Sequence, residues 1–214
     1  MNFTLSGSAH RIPYLRNPVL WVLTGMFLVF CLYSGLTTPD LTNWLLENML
    51  TFSFIIVLVA FYRHFRFSDL SYTFIIIFLL LHMYGSHYGY TQNPLGEYVR
   101  DLFSLKRNPY DRLVHFSFGF VMAYAARDLL RHKLKVKTPF SYLLPIELML
   151  SLSAFFELVE WVVADRFFPE HAMKYLGMQG DMWDAQKDIS FATLGACLMM
   201  GIIYFHHRTR RGKQ

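Results

Sequence analysis

Six apolar stretches, at residues 18–36, 41–61, 70–90, 113–126, 140–164 and 189–205, recur along a chain of 214 residues. Crossing the ~30 Å hydrocarbon layer of a bilayer takes about 20 helical residues. Most of the six stretches have that length, and the fourth reaches it as a helix over 110–130. Composition agrees, with 54% hydrophobic, 18% aromatic and only 16% charged residues and a mean hydropathy of +0.30. That is a membrane composition. The expected fold is all-α, a polytopic bundle of six transmembrane helices at approximately 18–36, 41–61, 70–90, 110–130, 140–164 and 184–205. One integral membrane domain over 1–214 accounts for the chain without a soluble domain.

The first span follows Arg11 and Arg16, as a secretory signal would, but its uncharged run is long and no small-x-small cleavage site follows. An uncleaved helix is the better reading. Cys31 and Cys197 are the only cysteines, one each in the first and last spans, which argues against a disulfide framework or a cysteine-rich metal site. The net charge of +5 is no sign of nucleic acid, because its distribution is that of a membrane topology signal. Basic residues gather in alternate segments: Arg11 and Arg16; Arg63 and Arg66; Arg127, Arg131, Lys133, Lys135 and Lys137; Arg208, Arg210, Arg211 and Lys213. Positive segments stay in the cytoplasm. Both termini are therefore expected inside the cell, in a multi-pass protein of the bacterial inner (plasma) membrane.

The acids sort the other way. Only Asp69 and Asp128 fall on the basic side, and Glu147 lies within a span. The connections 91–109 and 166–182, the longest, are expected outside, whereas 37–40 is a tight turn containing Pro39. "YDRLVHFSFG" opens the fourth helix and sets Asp111, His115 and Gly119 four apart on one stripe, which Met122 and Ala126 continue. In the sixth helix Asp184, Asp188, Ala192 and Gly195 repeat the arrangement, with small residues below the acids that let neighbouring backbones approach. "ELVEW" sets Glu157 and Glu160 one turn apart in the fifth helix, with Glu147 roughly 15 Å deeper by helical rise. "HMYGSHYGY" in the third supplies His82 and Ser86 on one stripe, His87 beside it and three tyrosines nearby. Glu47 lies in the outer half of the second helix.

Because helices alternate in direction, the outer ends of the third to sixth share one membrane level. His82, His87, Asp111, Arg112, His115, Glu157, Glu160, Asp184 and Asp188 are thus expected to converge. Ionisable groups at membrane depth are costly and normally face a bundle interior or a wet cavity, often at functional sites. The structural alternative is an ion-pair network in which Arg112 and the histidines neutralise the acids and fix helix packing. Carboxylates and imidazoles on facing helices can also bind a divalent metal, Mn, Fe or Zn. The spacing matches no H-E-x-x-H, Walker loop or G-x-S-x-G elbow, so metal occupancy and cofactor stay open. Paired carboxyls sharing a proton, for acid/base catalysis or relay, are the other option.

The segments "YDRLVHFSFG", "ELVEW" and "GDMWDAQKD", in this order and on these helices, closely resemble the YjdF-type family of uncharacterised bacterial inner-membrane proteins. A fainter resemblance is to VanZ-like membrane proteins, which are associated with glycopeptide-antibiotic resistance. That second resemblance implies a site at Asp111, His115, Glu157, Glu160, Asp184 and Asp188. It departs at Ala192, where the VanZ-like pattern commonly has Asn, which weakens any transfer of resistance.

The functional expectation is an outward-facing polar site of an enzyme acting on a lipid-linked or cell-envelope substrate. Asp111, His115, Glu157, Glu160, Asp184 and Asp188 would do the chemistry, while Arg112, His82 and His87 would bind substrate. Two other classes compete: a small proton-coupled transporter, for which Glu147 and Glu47 offer deeper sites, and a structural or accessory protein. The expected partner is the lipid bilayer, with no nucleic acid.

Overall fold

The computed structural model describes residues 12–167 and 179–211. Arg11, Lys213 and most of the 166–182 connection, used above in the charge and loop arguments, lie outside the described residues. Those described form α1 (Pro18–Thr37), α2 (Leu41–Phe61), α3 (Asp69–Tyr88), α4 (Pro94–Leu102), α5 (Tyr110–His132), α6 (Phe140–Phe167) and α7 (Asp184–Arg211). All but α4 are long and apolar enough to cross a membrane.

Local sequence sets the helix ends. Asn17 starts α1 by accepting hydrogen bonds from the N–H groups of Val19 and Leu20, Asp40 starts α2 through Asn43, and Ser68 starts α3 through Ser71. Each cap satisfies donors that the first turn leaves orphaned. Gly89, at φ 76°, stops α3 at Tyr88, ahead of the expected residue 90. At the other end α7 runs on to Arg211, past the expected 205, and α6 to Phe167, past 164. Hydropathy marks where a helix leaves lipid, whereas the hydrogen-bond ladder continues until something breaks it. The short α4 falls in a stretch expected as a connection; Asn93 caps it and Pro94 takes its first position.

The bundle is organised around α5, which packs on α3, α6 and α7, while α1 packs on α3. One face of α5 joins a core of Phe27, Trp44, Ile75, Leu79 and Met83, and the other a core of Met149, Ala196, Met199, Met200 and Ile203. The most extensive contact among the described helices is between α5 and α7. A Cβ on Gly119 would strike the Ala192 carbonyl, and one on Gly195 would strike that of Phe116. The stripes of small residues are thus where the two backbones meet. By contrast, Val22, Val29, Leu32, Ile56, Val57, Val59, Phe155 and Leu158 are exposed on α1, α2 and α6. So large an apolar surface is suited to acyl chains and not to water.

The end of the bundle that carries the α2–α3 and α5–α6 connections is closed by polar caps. Buried Asp128 accepts from the Ser68 N–H at 2.8 Å and the Ser71 hydroxyl at 2.8 Å, and faces His132 Nδ1 at 2.8 Å. Asn17 donates to Asp69 at 2.6 Å, and the Arg127 guanidinium lies 4.6 Å over the Tyr142 ring. Glu147 is exposed on α6, away from the site described next.

Candidate functional site

Toward the opposite end, the C-terminal halves of α3 and α6 and the N-terminal halves of α5 and α7 surround a cavity of about 310 Å³, with α2 as a further wall. Its polar wall carries Glu47, His82, Tyr90, Asp111, His115, Ser153, Glu157, Glu160 and Asp188. Below lie apolar side chains, among them Leu50, Phe54, Phe78, Phe118, Met122, Leu152 and Phe156. Asp111, His115 and Asp188 each offer a ligand atom within 4.8 Å of the other two. His115 Nε2 stands 3.6 Å from Asp111 Oδ1 and 3.5 Å from Glu157 Oε1, longer than an ordinary hydrogen bond.

His82 is held at both nitrogens. Its Nε2–H donates to the Glu47 carbonyl at 3.1 Å, and its Nδ1 accepts from the Tyr90 hydroxyl at 2.5 Å. Burial first, and then the neighbouring carboxyls of Glu47 and Asp111, push the Tyr90 hydroxyl well above its ordinary pKa, so it remains a proton donor. His87 lies outside the cavity, where its Nδ1 bonds the Ser34 carbonyl at 3.1 Å and its ring stacks on Tyr33 between α1 and α3.

Arg112 and Asp184 also stand outside the cavity wall, at its rim. Arg112 Nη2 donates to Asp181 at 2.6 Å and contacts Asp184 at 3.4 Å, while Arg107 Nη1 binds Asp184 and lies 3.6 Å from Asp181. Lys187 completes the cluster, 2.6 Å from Asp181. The Lys187 hydrogen bond, followed by that of Arg112, holds the Asp181 carboxyl well below the usual range. Burial works against the Arg107 charge, but Asp184 outweighs it and keeps the guanidinium a firm cation. This latch ties the start of α7 to that of α5, and so fixes the depth at which Asp188 meets His115.

The connection before α5 is stitched to the same rim. Asn108 Oδ1 accepts the Tyr110 N–H at 3.0 Å, its Nδ2 donates to the Asn93 carbonyl at 3.0 Å, and Gln179 bonds both backbone groups of Asn108. Tyr110 then reaches the Leu81 carbonyl at 2.8 Å.

Several of these residues escaped the sequence reading. Arg107 sits in a connection with no periodicity to mark it, and Tyr90 was one tyrosine among several. Ser153 was legible, because it precedes Glu157 by one turn on the same stripe.

The chemistry follows from charge. Among the described residues five carboxyl groups line the cavity, those of Glu47, Asp111, Glu157, Glu160 and Asp188, and no lysine or arginine does. Asp188 Oδ1, Glu157 Oε1 and Ser153 Oγ are buried with no hydrogen-bond partner among the described residues. Buried polar atoms are almost always paired, so such orphans point to something the site takes up. Protons, a cation or a polar substrate group would each answer.

Residues 19–209 match the family described as "Predicted membrane protein (DUF2238)". The chain is also 35% identical over 201 residues to "Inner membrane protein YjdF" of Escherichia coli (strain K12), an alignment covering 93% of this chain and 94% of that protein. No solved structure matches it.

Proposed function

The chain belongs to the DUF2238 family of membrane proteins, and from that premise we propose that it is an enzyme acting on an amphiphilic, lipid-linked or envelope substrate at the outer face of the inner membrane. One observation carries the reading: the carboxyl and imidazole groups sit at the head of a cavity whose lower walls are apolar. A crevice between α2 and α6, lined by Leu46, Met49, Val159 and Val163, shares Glu47, Leu50, Phe156 and Glu160 with that cavity. A hydrocarbon chain can follow this apolar route while its polar head lies at Asp111, His115 and Asp188. The volume is at the lower end of the range for small-molecule sites, about 300–1,000 Å³, which suits a head group and the first part of a chain.

In this reading Glu157, beside His115 Nε2, moves the proton, and Asp111, His115 and Asp188 hold the reacting centre. Glu160 and Glu47 shape the charge of the cavity. Arg112 keeps a buried, unpartnered Nε as a donor for an anionic head group, and His82 positions the α2 wall through Glu47. Outward orientation rests on the basic residues gathered at the other end of the bundle. Beneath Met122, the α5 residues Ala123, Tyr124, Ala125 and Ala126 are buried in helix contacts, which supports a one-ended cavity over a transport path.

The test is to incubate purified protein with a lipid extract of bacterial envelopes and follow all species by mass spectrometry. At least one amphiphile should be converted by the parent protein and not by His115→Gln or Asp188→Asn. No conversion, or equal conversion by the variants, would overturn the proposal.

A further inference from the structure

We infer that Asp111, His115 and Asp188 form a binding site for one first-row divalent cation of the Zn²⁺ or Mn²⁺ class. This goes beyond the enzymatic reading and stands or falls without it, since a bound ion is measured directly and not through turnover.

Three observations converge. First, the ligand atoms come from two helices locked together by the backbone contact at Gly119 and Ala192, one turn beyond His115 and Asp188 respectively. A metal site needs ligands whose supports do not move, and here the two backbones are in direct contact. Second, the spacings are those of ligands and not of hydrogen-bonded groups. Two atoms each about 2.1 Å from a tetrahedral ion stand about 3.4 Å apart. His115 Nε2 lies 3.6 Å from Asp111 Oδ1, and Asp188 brings its ligand atom within 4.8 Å of both. An imidazole bonded to a carboxylate would close to about 2.7–2.9 Å. Third, Asp188 is 2% exposed with Oδ1 unpartnered, and Ser153, also 2% exposed and on a different helix, has its hydroxyl unpartnered in the same cavity.

The donor set narrows the ion. Two carboxylate oxygens with one imidazole nitrogen suit Zn²⁺, Mn²⁺ or Fe²⁺ more than Ca²⁺ or Mg²⁺, which prefer oxygen alone. Three protein ligands leave positions on the cavity side for water or a substrate oxygen, the pattern of catalytic and not of closed structural sites. An ion of charge +2 would also offset the excess of carboxyls in the cavity. Glu157, next to the His115 nitrogen, would then lie beside the ion or its water.

The experiment uses the full chain, purified in detergent through a tag without histidine, stripped with a chelator and titrated with Zn²⁺ or Mn²⁺ alone. One ion should bind per chain, with Ca²⁺ and Mg²⁺ much weaker. Even loss of an outer-shell partner weakens metal sites by about 10–100-fold, so Asp111→Asn, His115→Gln and Asp188→Asn should each cost on the order of 100-fold or more. Asp101→Asn, on the surface, should cost nothing. Pulsed EPR of the Mn²⁺ form should show coupling to an imidazole nitrogen in the parent protein, a readout that needs no variant, and lose it in His115→Gln. Binding well below one ion per chain, equal affinity across the three variants, or nitrogen coupling that survives His115→Gln would each overturn the inference. Lipid conversion by the metal-stripped protein would sink a catalytic role for the ion while sparing the enzyme.

Discussion

Gly119→Ala should loosen both the bundle and the site, and the structure fixes by how much. The added Cβ would lie 2.6 Å from the carbonyl carbon of Ala192 and 2.9 Å from its Cα, with the carbonyl oxygen closer still. Ordinary contact begins near 3.4 Å, so α5 and α7 must part by about 0.8 Å or more at this level. Rigid backbone stands on both sides, and overpacking of that kind costs about 1–3 kcal/mol. Alanine regains about 0.5–1 kcal/mol over glycine inside a helix, which masks part of the loss. Gly201→Ala, in the interior of α7, removes that ambiguity, because no described residue lies within 4 Å of its added Cβ. The two variants share the propensity gain, so their unfolding free energies in detergent should differ by about 1–3 kcal/mol. The separation also falls one turn from Asp188 and His115, so any affinity of the site should fall with it. Equal stability of the two variants would refute the claim that this contact sets the spacing of the site.

Tyr90→Phe leaves His82 Nδ1 buried without its donor and should cost about 1–3 kcal/mol in the same assay; a neutral effect would show that the bond does not hold the α3 wall. Asp181 has a depressed pKa in the folded protein, so its contribution is complete above the unfolded carboxyl value near 4 and fades as pH falls through the lower folded value. The stability difference between the parent and Asp181→Asn should accordingly be constant from pH 7 to about 5 and shrink only below about 4; a difference already lost at pH 6 contradicts the latch. Reporter fusions after Lys135 and Arg210 should report cytoplasm, and one after Asn93 the periplasm; a cytoplasmic signal at Asn93 would place the site on the inner face.

The helices and the stripes on them were legible because lipid imposes a strong code: a span needs length and hydropathy, and an acid within a span needs company. Asp111, His115, Gly119 on α5 and Asp188, Ala192, Gly195 on α7 could be read as facing stripes from spacing alone, and the structure sets their small residues in backbone contact. Ala192, the departure from the VanZ-like pattern, is fully buried, with its backbone at that contact. What spacing could not give was rotation about each helix axis. His82 and His87, five residues apart, stand about 140° apart round the helix, and which of the two faces the site needed the structure: His82 lines the cavity and His87 turns to α1. Nor could it show how charges outside the spans are shared: Arg112 pairs with Asp181, and Arg107, unmarked by any pattern, takes Asp184. The asparagine pair Asn93 and Asn108 that folds the α3–α5 connection was invisible for the same reason, since it acts through tertiary contacts.

Whether the polar cluster is a site or a set of helix fasteners is decided most directly by the unfolding free energy of Asp188→Asn in chelator, at neutral pH. A fastener loses its partner on substitution, and breaking a buried ion pair costs about 3–5 kcal/mol. Asp188 Oδ1 has no partner to lose and other carboxyls around it, so the variant should be as stable as the parent protein or more so, as expected where a site holds like charges together at a cost to stability. A loss of several kcal/mol would contradict the account and make the cluster structural.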